Sequence, residues 1–257
     1  MFEIGFLGTG GSVATADRDN ASVLLCHDGA RTLVDCPGGV IQKIQKLGHA
    51  PASLSAILVT HCHTDHIYGF PAIFHALMLR DGRIDVYGTE ATIGFCDRLL
   101  ADFGLRDANY RTRAELHAIH PGERFILGGR AEVTALRARH HPSSLAYRVE
   151  GSEGTAVFYS GDTPADPDLL RDAGAFDVLI HDCSAPSRVF DRYPGLRTMH
   201  TSAAELGRMA EEARVKVLVP IHFFGEVEFT LEDIEAEIRT SYRGRLIVPR
   251  DFDKVTV

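Results

Sequence analysis

LVTHCHTDHIYGF, residues 58–70, places three histidines and an aspartate within six positions, directly after an apolar run. The run before it, SAILVT, is short, continuously apolar and rich in β-formers, as expected of a strand buried on both faces of a sheet. His61, His63, Asp65 and His66 therefore stand at the tip of a rigid element. In extended geometry His61 and His63 point to the same side, so both can reach one ion, while Asp65 and His66 lie further on and can face a second. Ordinary surface histidines have no packing reason to crowd in this way.

The rest of the chain repeats the placement. His140 and His141 follow the strand-like VTALRA, Asp162 follows AVFYSG, and His222 follows VKVLVPI. Each ends an apolar run with a side chain able to ligate metal. A mixed histidine and carboxylate set suits Zn²⁺, with Mn²⁺ or Fe as competitors. Between these tips, strand patterns (FEIGFLG, the SVLLCHDG/RTLVDC hairpin, RIDVYG, FDVLIHD, RLIVP) alternate with helical ones (GGVIQKIQKLG, GFPAIFHALML, TEATIGFCDRLLADFG, DPDLLRDAG, TSAAELGRMAEEARV, FTLEDIEAEIRTSY). Short strands occupy 115–139, and AYRVEGSEGTAVFYSGD is a hairpin. The layer logic is a sheet covered by helices, twice over: an αββα arrangement of class α/β, formed by residues 1–257 as a single domain.

Composition narrows the function. The 257 residues are 45% hydrophobic with net charge −8, which argues against a broad basic face for duplex nucleic acid. Five cysteines, an odd number without a CxxC pair, read as reduced thiols of an intracellular protein. No signal peptide or membrane-length apolar run is visible, so the expected location is cytoplasmic, with no membrane partner. A homodimer is compatible with this reading. LGTGG lacks the third glycine of a dinucleotide loop and reads as a tight turn beneath the site. Cys62 faces away from His61 and His63 and is expected to be a buried thiol.

The chain resembles the metallo-β-lactamase fold superfamily. THCHTDH matches its HxHxDH motif, and LGTGGSVATADRDNAS, LVDCPGG and SGDT are similar to segments of the ribonuclease Z-like, phosphodiesterase branch. The resemblance implies a four-layer αββα sandwich and two divalent metal ions. One site would hold His61, His63 and a third histidine, the other Asp65, His66 and His222, with Asp162 bridging. His140 and His141 compete for the third place, and His141 is preferred because Pro142 follows it, as is frequent after that ligand in related sequences. The resemblance also implies an acid–base pair: Asp182 in LIHDCSA beside His200 in MHTSAAELG.

A dinuclear zinc phosphodiesterase follows from this resemblance, with Asp65 orienting the activated water and His200, held by Asp182, protonating the leaving oxygen. Ribonuclease Z proteins carry a long arm between the third histidine and the bridging aspartate. Here that interval holds only a tight hairpin, so the expected substrate is a small phosphodiester or an RNA 3′ end. The alternatives are a lactonase or thioesterase on the same dinuclear site, and a non-catalytic interaction module. A diiron redox role is disfavoured by His63, where such proteins carry glutamate.

Overall fold

The computed structural model describes residues 1–107, 109–128 and 130–257. Two seven-stranded sheets lie face to face. The first contains β1 (Glu3–Gly8), β2 (Ser22–His27), β3 (Ala30–Val34), β4 (Ala56–Leu58), β5 (Gly82–Gly88) and β6 (Thr112–Ala118). The second contains β7 (Arg124–Leu127), β8 (Ala131–Arg137), β9 (Leu145–Glu150), β10 (Ala156–Tyr159), β11 (Val178–Asp182), β12 (Val217–Ile221) and β13 (Arg245–Leu246). The last strand, β14 (Lys254–Thr256), returns to the first sheet and pairs antiparallel with β1.

The two sheets share one pattern. Pairing runs antiparallel from β14 through β1 and β2 to β3, then parallel through β4 and β5 to β6. In the other sheet it runs antiparallel from β7 through β8 and β9 to β10, then parallel through β11 and β12 to β13. The parallel crossovers carry the helices: α1 (Val40–Lys46), α2 (Thr64–Ile67), α3 (Phe70–Ala76) and α4 (Glu90–Asp102) in the first half. In the second half they are α5 (Pro167–Asp172), α6 (Ser187–Arg192), α7 (Ala203–Glu212) and α8 (Leu231–Arg239).

Alternation along the strands builds the layers. Ile4, Phe6, Val23, Leu25 and Leu58 meet Val133, Tyr147, Val157, Ile180 and Val219 between the sheets. Their neighbours, Leu7, Leu24, Leu33 and Ile57, face outward onto Ile44, Ile73, Phe74 and Leu100 of the helices. On the far side Phe158, Leu179 and Leu218 do the same against Leu170, Leu206, Met209, Ile234 and Ile238. The αββα expectation is met, and strand periodicity is the reason: consecutive residues fill two different cores.

Helix starts follow local chemistry. Thr89 accepts a hydrogen bond from the Thr92 amide at the head of α4, and Ser202 forms a reciprocal capping box with Glu205 at the head of α7. Over residues 245–256 two details differ from the sequence reading. The RLIVP segment contributes only Arg245–Leu246 as strand, and the unexpected β14 closes the first sheet instead. A strand of three residues at a chain end carries too little alternation to stand out. No helix among the described residues is long and apolar enough to cross a membrane.

Candidate metal centre

The site gathers at the C-terminal edge of the parallel strands, where loops leave both sheets. The chain after β4 is fixed from both sides. The Val59 amide donates to Tyr87 O of β5, and Leu145 of β9 donates its amide to Thr60 O at 3.0 Å. His61 thus leaves a backbone clamped by both sheets. His63 stands at the head of the single-turn α2, which carries Asp65 and His66. The turn is pressed onto the loop after β3: the Cys36 amide donates to His66 O, and the Gly69 amide donates to Cys36 O. A Cβ at position 69 would lie 2.0 Å from Pro37 O, so only glycine permits this approach.

One carboxylate oxygen is the focus. Asp162 Oδ2 is 3.1 Å from His222 Nε2, 3.3 Å from His66 Nε2, 3.7 Å from His140 Nε2 and 4.0 Å from His61 Nε2. Asp65 Oδ2 lies 3.4 Å from His66 Nε2 and 3.7 Å from His222 Nε2. His140 Nε2 is also 3.0 Å from His63 Nδ1. Two adjacent sets of ligand atoms result: His61, His63 and His140 in one, and Asp65, His66, Asp162 and His222 in the other. Gly161, at φ +60°, turns the chain after β10 so that Asp162 points inward.

The inward nitrogens of His61, His66, His140 and His222 are each aimed by a hydrogen bond at the ring's other nitrogen. Asp35, fully buried at φ +59°, lies 2.8 Å from His66 Nδ1 and accepts from both the amide and the hydroxyl of Thr60. Thr60 Oγ1 is in turn 3.0 Å from His61 Nδ1. Ser184 Oγ reaches His222 Nδ1 at 3.3 Å, and His140 Nδ1 sits 3.0 Å from Met199 O. His222 itself has φ +68°, a left-handed conformation at the end of β12. Two non-glycine residues held at positive φ beside one cluster mark a constrained site.

These residues fit a metal. The Nε2 atoms of His61, His66 and His222 are buried and have no hydrogen-bond partner. Leaving such polar atoms unpaired costs about 1–3 kcal/mol each, so they require a bound cation or a proton shared with a carboxylate. Burial pushes His61, and more mildly His63 and His140, towards the neutral form that ligates metal. Burial acts the same way on His222, but Asp162 and Asp65 outweigh it and raise that imidazole to about 10. Burial would raise Asp65 too, yet the neighbouring imidazoles of His222 and His66 hold its carboxyl well below the usual range. The surplus of negative charge that draws protons onto these rings is the charge a divalent cation would neutralise.

The structure brings together His61, His63, Asp65, His66, Asp162 and His222 as the sequence placed them. His141, expected there, is not in the cluster; His140 is. Consecutive residues of the loop after β8 turn opposite ways, and Ser143 holds His141 by its Nδ1, with Oγ at 2.8 Å and the backbone amide at 3.2 Å. Asp182 and His200 meet beside the cluster, Oδ2 to Nδ1 at 2.9 Å, with the His200 ring stacked 5.2 Å from that of His222. Asp182 keeps its direction through the Thr163 amide and the Ser184 hydroxyl. Asp35, Thr60 and Ser184 went unrecognised as supports; the only signal was a lone carboxylate following β3 in LVDCPGG. Cys62 is half-exposed, not buried, and its thiol contacts Thr92 Oγ1. A cavity of ≈ 580 Å³, lined by Ser12, Ala14, Asn20, His63, Asp65 and Tyr68 among others, opens onto the cluster.

Residues 30–223 match the family described as the beta-lactamase superfamily domain. Among curated proteins the chain is 29% identical to a ribonuclease Z of Mycobacterium marinum, covering 100% of this chain and 99% of that one. It is 28% identical to a ribonuclease Z of Methanosarcina acetivorans, over 100% and 98%. Among solved structures it resembles the metallo-beta-lactamase fold protein YhfI from Bacillus subtilis (TM-score 0.82, 20% identity, all of both chains). It also resembles the short form of human tRNase Z (TM-score 0.79, 19% identity, 99% of this chain and 98% of that one). A diphosphatase from the PhnP family gives TM-score 0.75 at 18% identity, over 100% of this chain and 98% of that one.

Proposed function

Because the chain belongs to the beta-lactamase superfamily, we propose that it is a ribonuclease Z-like hydrolase that uses two divalent cations to cleave phosphodiesters. The observation that carries this reading is the convergence of four imidazole nitrogens on Asp162 Oδ2, three of them buried without a hydrogen-bond partner. His61, His63 and His140 would hold one cation; Asp65, His66 and His222 the other, with Asp162 shared. Zinc suits this donor set, with manganese and iron as competitors. When bound, such ions supply positive charge against a phosphoryl group and acidify water.

The protein's own groups do the rest. Asp65 lines the cavity and would orient the attacking water. His200, anchored through Nδ1 by Asp182, keeps Nε2 free to give a proton to the departing oxygen. Asp182 sets the tautomer that makes this donation available. The site is pre-shaped, because the rings of His61, His66, His140 and His222 are pinned from behind.

A small phosphodiester or an RNA 3′ end is the substrate we favour. Only residues 151–155 join β9 to β10, the net charge is −8, and the cavity holds ≈ 580 Å³. The curated relatives named ribonuclease Z support the RNA end. The test is a substrate panel on the metal-analysed protein. Turnover of bis(p-nitrophenyl) phosphate, with none of lactones or thioesters, is the expected outcome. Hydrolysis of a thioester or lactone alone would overturn the assignment.

A further inference from the structure

His141 was singled out by the sequence and left out of the metal cluster by the structure. Its ring nevertheless stands at the edge of the centre. The centroid is 5.2 Å from that of His63, at a steep 61°, and 6.4 Å from that of His61. His63 itself lines the cavity. We propose that His141 is a substrate-binding residue whose Nε2–H donates to a phosphoryl oxygen beside the His61–His63–His140 set. This rests on the phosphodiesterase reading for the identity of the ligand.

The turn around Ser143 fixes the tautomer of the His141 ring. The Ser143 backbone amide, which can only donate, points at His141 Nδ1 from 3.2 Å. Nδ1 therefore carries the lone pair, and in the neutral ring the proton must sit on Nε2. The Ser144 hydroxyl accepts from the His141 amide at 3.0 Å, and Ser143 and Ser144 are both buried, so the turn that grips the ring is itself firm.

The other nitrogen of the ring is unengaged. Nδ1 is spent on Ser143, while Nε2 has no hydrogen-bond partner among the described residues. The ring is half-buried, so this donor is not simply dissolved in bulk water. His140 is committed at both nitrogens, Nε2 towards His63 Nδ1 and Asp162 and Nδ1 towards Met199 O, which leaves it no donor for a ligand. A phosphoryl group brought to that set carries more oxygens than cations can engage, and a neutral N–H at the rim suits one that remains.

The neighbouring His140 is the built-in control. His141→Ala should keep the full metal content of the wild type, whereas His140→Ala should lose metal. On the metal-loaded protein, calorimetric titration with inorganic phosphate should show binding weakened about tenfold or more in His141→Ala, the scale of a hydrogen bond to a charged group. With bis(p-nitrophenyl) phosphate the loss should fall on KM more than on kcat, and His141→Gln, which retains an N–H donor, should recover part of it. Unchanged phosphate affinity in His141→Ala would overturn the proposal, as would loss of metal in that variant. If the wild type binds phosphate through His141 yet hydrolyses no phosphodiester, the functional reading fails while this one stands.

Discussion

At the scale of single residues, the centre shows what one loop can and cannot announce. His61, His63, Asp65 and His66 were legible because they crowd one strand tip, and no packing demand produces such crowding. Asp162 and His222 were legible because each ends an apolar run. The choice between His140 and His141 was not, since adjacent residues share a sequence environment and only the turn through Ser143 separates them. Asp35 was invisible as a support, because a lone acid after a strand has no spacing partner. In space it braces both ligand sets at once, through His66 directly and through Thr60 to His61. His200 belongs to this scale too. It is buried, paired with Asp182 and outside the two ligand sets proposed here, so His200→Ala should leave metal content intact and lower turnover of bis(p-nitrophenyl) phosphate about a hundredfold or more. Equal turnover in variant and wild type would remove it from the chemistry.

At the scale of elements, most strands and helices were readable from periodicity, and the exceptions have physical causes. The single-turn α2 lies in HCHTDH, where the ligand pattern masks any helical one. β13 and β14 are so short that pairing partners, not propensity, define them. The junction between α2 and α3 is set by backbone contact, not by side chains. Gly69→Ala would thrust a Cβ to 2.0 Å from Pro37 O and push α2 off the loop that carries Asp35. Overpacking of this kind costs about 1–3 kcal/mol. The expected result is a lower melting temperature together with weaker metal retention, because Asp65 and His66 ride on the displaced turn. A variant with wild-type melting and metal content would show that the loop yields without moving the ligands.

At the scale of the whole molecule, the two sheets repeat one design: an antiparallel half, then a parallel half whose strand tips bear functional side chains. Asp35 follows β3 and Asp162 follows β10, the strands at which pairing changes from antiparallel to parallel in each sheet. The shared core of Phe6, Leu58, Tyr147, Ile180 and Val219 brings those tips together, and so assembles a centre from segments as distant as residues 61 and 222. The layered architecture was legible because each strand alternates between two cores; the convergence of the tips was not, because it depends on how the sheets face each other. Elemental analysis of the purified chain reads whether this convergence holds two divalent cations, as proposed. Two equivalents of transition metal per wild-type chain are expected, with strongly reduced occupancy in Asp162→Ala, which removes the carboxylate proposed to serve both sets. A wild-type chain that retains no transition metal, or equal occupancy in the two proteins, would contradict the proposal.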